Sequence, residues 1–427
     1  MNILILGSGG REHALARKIS QSSLVGKLLI MPGNPGTAAH GQNISGQADH
    51  FARIREVVLD HGVSMVVVGP EDPLVKGVHD FILSDPELAG VTVVGPRAAG
   101  AQLEGSKEFA KEFMVRHGIP TARYRSFHQG EAAEAAAFLA GMQPPYVLKA
   151  DGLAAGKGVV ILNDLAEAVA EAEAILLHGK FGKAGEKLVI EEFLDGIEVS
   201  VFVLTDGKHY LMLPEAKDYK RIGEGDTGPN TGGMGSLSPV PFFDGLLIEK
   251  VENRIIRKTI EGLQADEIPY SGFIFFGLMI VNGDPFVIEY NVRLGDPETE
   301  SVLPRVKSDL VPLFLALKTQ TLNLHKVEID SRAAATVMMV SGGYPGSYPK
   351  HLPVTGLEAV EGSVVYHAGT TLKDDRLVTG GGRVFGVTSL DHQLSEALRK
   401  SYENAGKIRF EGCYYRRDLG FDILPQE

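Results

Sequence analysis

Four times in its first hundred residues the chain repeats one pattern: a short apolar run, a glycine or proline that stops it, and a polar stretch with helical character. The runs are Asn2 to Leu6, Lys27 to Met31, Met65 to Val68 and Val91 to Val94, stopped by Gly7, Pro32-Gly33, Gly69-Pro70 and Gly95-Pro96. Strands alternating with crossover helices predict an α/β unit built on an open parallel sheet. Ligands of such sheets sit outside the carboxyl ends of the strands. The loops Gly7-Ser8-Gly9-Gly10, Gly33-Asn34-Pro35-Gly36 and Pro70-Glu71-Asp72 are therefore expected to converge on one site.

The 427 residues leave room for further domains. The expected divisions are 1–104 for the N-terminal substrate-binding unit, 105–327 for a central domain and 328–427 for a small β-rich domain. In the central domain the sequence predicts helices over Glu108 to His117 and Gly130 to Ala140, and strands over Tyr146 to Lys149 and Leu188 to Glu191. A hairpin is expected where Phe273 to Val281 and Phe286 to Arg293 flank Asn282-Gly283-Asp284-Pro285. In the last domain, strand character around Leu377 to Val387 and a helix from Leu390 to Gly406 stand out.

Charge limits the partners. Forty-two Lys and Arg against 54 Asp and Glu give a net charge of −12, so no broad positive field exists for nucleic acid or an anionic membrane, and an anionic ligand needs local donors. The single Cys413 excludes an internal disulfide and is expected to be inert; the thirteen histidines lack ligand spacing, and His13 reads as a helix residue. Met1 to Leu6 has no basic n-region, and Phe273 to Val281 is about half the length of a membrane span. A cytoplasmic protein is expected, with small-molecule substrates, neither nucleic acid nor membrane as partner, and a monomer as the favoured assembly.

Five constellations carry possible chemistry. Gly7 to His13 follows a strand and opens a helix, so its amides can receive a phosphate; without a ligand the same glycines make a tight turn. It departs from the dinucleotide fingerprint, which needs a glycine at Glu12 and an acidic residue after Met31. Lys149 to Val159, with Gly152, Gly156, Lys157 and Gly158, is either an exposed hairpin loop or a flap closing over a polyphosphate. Glu191 to Glu198 reads as a strand end and hinge whose backbone can pair with an adenine edge while Glu198 reaches a ribose hydroxyl, or as a solvated acidic turn. Pro214 to Arg221 and Gly228 to Gly235 form a long charged, glycine-rich stretch, either disordered or substrate-binding, in which Asp218 can hold an amine and Lys220 a phosphate. Finally, Glu289, Asn291 and Arg293 alternate along the hairpin's second strand and should share one face, two oxygen donors beside a guanidinium suiting Mg²⁺-bound phosphates.

Gly9-Gly10-Arg11-Glu12-His13-Ala14, Lys149 to Gly158, Asn230-Thr231-Gly232-Gly233-Met234-Gly235 and Arg293-Leu294-Gly295-Asp296-Pro297-Glu298 resemble, in order and across the chain, the motifs of the phosphoribosylamine–glycine ligase family. The resemblance implies an N-terminal pre-ATP-grasp sheet, a central ATP-grasp domain with a flap subdomain near 121–193, and joining of glycine to 5-phosphoribosylamine with ATP in purine synthesis. It further implies that Lys107 and Lys149, with the flap, contact ATP phosphates, and that Glu191, the Glu192 and Leu194 backbone and Glu198 hold the nucleoside. Glu289 and Asn291 would hold Mg²⁺, with Mn²⁺ as a substitute. Gly9, Gly10, Asn34 and Glu71 would face the ribosylamine phosphate; Asp218, Lys220, Arg293 and Asp296 would face the reacting substrates. The rival readings are another carboxylate–amine ligase or carboxylase of this fold, a nicotinamide-dependent oxidoreductase, against which the missing acidic residue after Met31 argues, and a noncatalytic nucleotide-binding regulator.

Overall fold

Residues Ile3, Leu4, Ile5 and Leu6 are all fully buried, Leu4 and Leu6 on one side of their sheet and Ile3 and Ile5 on the other. Burial on both faces is why the run is continuously apolar instead of alternating. In this computed structural model, which describes residues 1–153 and 158–425, strand Asn2–Gly7 lies at the centre of five parallel strands. Their order is Gln42–Asn43, Lys27–Pro32, Asn2–Gly7, Val63–Val68 and Thr92–Val94. The first connection leaves Asn2–Gly7 toward one edge, and the chain later returns to its other side. That makes the space between the carboxyl ends of Asn2–Gly7 and Val63–Val68 the switch point where a crevice opens.

Two antiparallel four-stranded sheets form the central part. In one, the order is Tyr124–His128, Lys187–Glu192, Tyr146–Ala150, Val159–Leu162; helices Ala132–Ala140 and Leu165–Leu176 cover it through Ala135, Leu139, Ala168 and Ile175. In the other, the order is Tyr210–Met212, Ile197–Thr205, Gly272–Val281, Asp284–Asn291. The expected hairpin is present, and Asn282 and Gly283 both have positive φ, 51° and 78°, as a two-residue turn of this twist requires. The N-terminal sheet meets this unit backbone to backbone, the Gly95 amide donating to Ser271 O at 3.0 Å.

The last sheet differs from the expected arrangement. Its order is Lys217–Asp218, Gly235–Ser238, Ala333–Val340, Arg383–Asp391, Ser363–His367, so two of its five strands come from the charged stretch of the central region. That stretch is ordered: strands Arg221–Gly223 and Thr227–Asn230 pair with each other between the other two. Leu377 to Val387 divides at its glycines. Strand Arg376–Thr379 pairs with Thr370–Lys373, whereas Arg383–Asp391 joins the large sheet, which helix Leu394–Ala405 covers through Ala397, Leu398 and Ala405. Among the described residues no helix is long and apolar enough to cross a membrane.

Candidate active site

Helix Lys107–Arg116 starts at Ser106, whose hydroxyl accepts from the Phe109 amide at 3.2 Å. Lys107 and Lys111, four apart, share the face that looks into the central domain. Lys107 Nζ donates to Gly152 O at 2.9 Å, at the near end of the flap loop; Gly156 and Lys157 lie outside the described residues. Lys111 is 2% exposed, and its ammonium meets Glu191 Oε2 at 2.9 Å and donates to Thr121 Oγ1 at 2.8 Å. The other Glu191 oxygen, Oε1, meets Lys149 Nζ at 3.0 Å.

Each lysine leads on to the second sheet. Thr121 Oγ1 donates to Val287 O at 2.7 Å, and Lys149 Nζ donates to Ile288 O at 3.1 Å. One buried carboxylate thus ties the flap-side sheet to two successive carbonyls of strand Asp284–Asn291, just before Glu289 and Asn291. Burial alone would raise the Glu191 carboxyl, but the two ammonium groups outweigh it and hold the group ionised below its ordinary value. Burial lowers Lys111 to about 8 against the pull of Glu191.

Near this brace lies a second cluster of charge, close enough for Lys149 to act on Glu198 and for Glu289 to act on Lys107. Lys220 Nζ donates to Glu198 Oε2 at 2.7 Å and lies 3.7 Å from Glu289 Oε1. Burial raises the carboxyl of Asp218; Lys220 opposes the shift and Glu198 reinforces it. Behind them Glu298, 4% exposed, accepts from Ser200 Oγ at 3.1 Å and is pushed up to about 7 by burial and by Asp218. The cations Lys107 and Lys149 therefore stand close to a mixed acid–base group drawn from three elements, Glu198, Asp218 with Lys220, and Glu289.

Three family models match the chain in sequence: Phosphoribosylglycinamide synthetase, N domain, over residues 1–104; its ATP-grasp (A) domain over 105–299; and its C domain over 334–422. The phosphoribosylamine–glycine ligases of Agrobacterium fabrum and Escherichia coli K12 are 46% and 45% identical to it, each alignment covering 100% of both chains. The crystal structure of the Thermotoga maritima phosphoribosylamine–glycine ligase superposes with TM-score 0.85 at 36% identity, over 98% of this chain and 100% of that one. The chain belongs to the phosphoribosylamine–glycine ligase family. A biotin carboxylase from Campylobacter jejuni shares the fold, with TM-score 0.70 at 15% identity over 96% of this chain and 92% of its own.

Several residues that the family resemblance assigns to ligands also make contacts within the chain. Glu191 is enclosed by Lys111 and Lys149, one on each carboxylate oxygen. The Glu192 amide donates to Arg123 O at 2.9 Å, and Leu194 lies between strands Lys187–Glu192 and Ile197–Thr205. The strand ends at Asn291, yet Tyr290 and Val292 still pack in one buried cluster, and the alternation leaves Asn291 less buried, as it does Arg293. The Arg293 guanidinium turns to the N-terminal unit, meeting Glu71 Oε2 at 3.2 Å and Glu104 Oε1 at 2.6 Å. Glu71, expected at the ribosylamine phosphate, is therefore Arg293's partner, and the two arginines Arg293 and Arg11 overcome its burial to hold it near 2.

The N-terminal loops are similarly self-engaged. Both Asn34 side-chain donors go to carbonyls, Ser8 O and His367 O, and its Oδ1 accepts from the Gly36 and Thr37 amides. The Gly9 amide donates to Glu12 Oε2 at 2.5 Å. At Gly10 a side chain would run into the buried Glu300 carboxylate. Asp296 pairs with Arg383 at 2.8 Å, while Gly158 is buried and accepts at its carbonyl from the Ala150 amide. Cys413 is half-buried, and burial pushes its thiol up to about 11, as suits an inert residue.

Lys111, Glu298, Glu104 and Arg383 were not singled out by sequence. For Lys111 a signal existed in its helical spacing from Lys107; for the others the partners are remote in sequence. Removing one of the two cations on a buried carboxylate leaves one of its oxygens without a partner, at a cost of about 1–3 kcal/mol. Lys111→Met is expected to lower stability by that amount in denaturant unfolding and to raise the KM for ATP, because Lys149 is then drawn wholly onto Glu191.

Proposed function

We propose that the chain joins glycine to 5-phosphoribosylamine, with ATP cleaved to ADP and phosphate, by way of glycyl phosphate, a step of purine synthesis. The observation that carries this reading is the nearness of Lys107 and Lys149 to Glu198, Lys220 and Glu289, which we take as the two sides of one cleft, in a chain whose full-length relatives are named phosphoribosylamine–glycine ligase. Lys107 and Lys149 supply positive charge to the ATP phosphates, and the hinge at Leu194, with Glu198, receives the nucleoside. Asp218 holds an amine and Lys220 a phosphate. Arg293 fixes the Glu71 and Glu104 carboxylates where the N-terminal crevice meets the cleft, setting the path between the two substrates.

Glu289 and Asn291 fit a Mg²⁺ site, Mn²⁺ being an alternative occupant. They offer two oxygen donors on the last strand, and a hard cation that keeps waters and phosphate oxygens as its other ligands needs no more from the protein. When bound, such a cation neutralises charge on the phosphates. Glu289→Ala and Asn291→Ala are expected to lower kcat by about a hundredfold with the melting temperature unchanged; near-normal turnover in both removes the assignment.

A carboxylate is a poor electrophile toward an amine. Attack of a glycine carboxylate oxygen on the γ-phosphorus of ATP forms the acyl phosphate and releases ADP. The ribosylamine nitrogen then adds to the acyl carbon, loses a proton, and expels phosphate carrying that oxygen. Positioning and charge do the work, and the protein supplies no covalent nucleophile. Glycine labelled with ¹⁸O in its carboxylate is expected to transfer one label to each phosphate released. Unlabelled phosphate would contradict the acyl-phosphate route.

A further inference from the structure

Strand Lys217–Asp218, which runs directly into Tyr219 and Lys220, is paired within its sheet only to Gly235–Ser238, and just before it Ala216 exchanges two backbone hydrogen bonds with Ser200. Side chains alternate along this stretch. Asp218 and Lys220 belong to the cleft cluster, while Lys217 and Tyr219 point the other way and are buried, 6% and 1% exposed. What they meet is the end of the chain. Tyr219 Oη donates to Asp422 Oδ1 at 2.9 Å and accepts from the Gly420 amide at 2.9 Å; Lys217 Nζ lies 3.1 Å from Asp422 Oδ2. A single carboxylate thus grips two alternate residues, one in the strand and one just after it.

The same terminal segment is anchored independently. Arg416 is fully buried, with its guanidinium over the Tyr219 ring at 5.4 Å. It forms a two-pronged pair with Asp418, both contacts 2.8 Å, and bonds Asp226 Oδ1 at 2.6 Å and Arg221 O at 3.1 Å. Asp418 in turn accepts from the Gly225 amide at 2.7 Å. The hairpin beyond Lys220 is therefore clamped by residues close to the end of the chain. On the cleft side Thr231 closes the turn, its amide and hydroxyl both donating to Lys220 O, at 2.7 and 2.8 Å.

We propose that the C-terminal segment Arg416 to Asp422 is a positioning element of the active site, with Asp422 and Tyr219 as positioning residues that set where Asp218 and Lys220 stand in the cleft. The proposal rests on the ligase reading above. Two contacts to alternate residues of this stretch fix its rotation about its own axis, and rotation is the motion that would swing Asp218 and Lys220 off the substrates. A fully buried arginine holding two aspartates keeps the grip itself from shifting.

Loss of this grip has a signature that loss of folded protein lacks. If the ribosylamine nitrogen is misplaced, water competes for glycyl phosphate and returns glycine and phosphate, so ADP is made without product. The test uses the full chain with Tyr219→Phe, which removes one hydroxyl, and Asp422→Asn, measuring ADP and glycinamide ribonucleotide together. Wild type should give one of each per turnover. Each variant is expected to give about two or more ADP per product and about a fivefold higher KM for the ribosylamine, with the KM for ATP little changed. Asp422→Glu should restore the ratio toward one. A smaller folded fraction alone would leave the ratio and every KM where they were. Variants with wild-type ratio and KM values overturn the proposal, whatever their melting temperatures, and if Asp422→Asn does not fold, Tyr219→Phe decides. A wild type that forms no product overturns this proposal together with the ligase reading; an active wild type with unaltered variants overturns this one alone.

Discussion

A carboxylate removed from water has to be paired, and Glu191 is paired twice. Because its two lysines continue, one through Thr121 and one directly, to successive carbonyls of the facing strand, the charge balance of one buried side chain also sets the spacing of the two sheets. The cleft between those sheets is where Lys107 and Lys149 stand close to Glu198, Lys220 and Glu289. Were the pairing broken, the cost would fall on folding and on cleft geometry together, since the same atoms serve both.

The other units attach to this cleft through buried charge as well. Arg293 joins the central strand end to Glu71 and Glu104 on the N-terminal side, and Asp296 joins the loop after it to Arg383 of the C-terminal sheet. Glu104, enclosed and beside the negative Glu71, is pushed up to about 7 mainly by burial, with Arg293 opposing. The motif Arg293 to Glu298 thus works largely as a junction: its side chains reach into all three parts of the chain. A junction of this kind explains why the N-terminal crevice, the nucleotide cleft and the terminal segment can act on one reaction.

Strand positions in the N-terminal sheet were legible because a strand buried on both faces advertises itself as an unbroken apolar run. The Asn282-Gly283 turn was legible because few residues accept positive φ at both turn positions. Alternation anticipated that Tyr290 and Val292 pack behind, but it gave no sign of the Glu71 and Glu104 carboxylates that Arg293 meets, because they lie far away in sequence. Asn34 shows another limit: a short polar side chain among glycine and proline serves its own loop as readily as a ligand, and here all its groups are engaged at home. Lys111 looked like any helix lysine until Glu191 was seen beside it. The charged stretch from Lys217 to Ser238 gave no strand signal because its order comes from distant residues, Ala333–Val340 on one side and Asp422 on the other.

The central claim is that this cleft couples ATP cleavage to the union of two small molecules. The most direct measurement is ADP release by the purified chain with glycine and 5-phosphoribosylamine present together, and then with each left out. The account predicts full turnover only with both present and a small residue of it when either is missing. ADP release at one rate in all three mixtures would contradict it, and would make the cleft that of a nucleotide hydrolase.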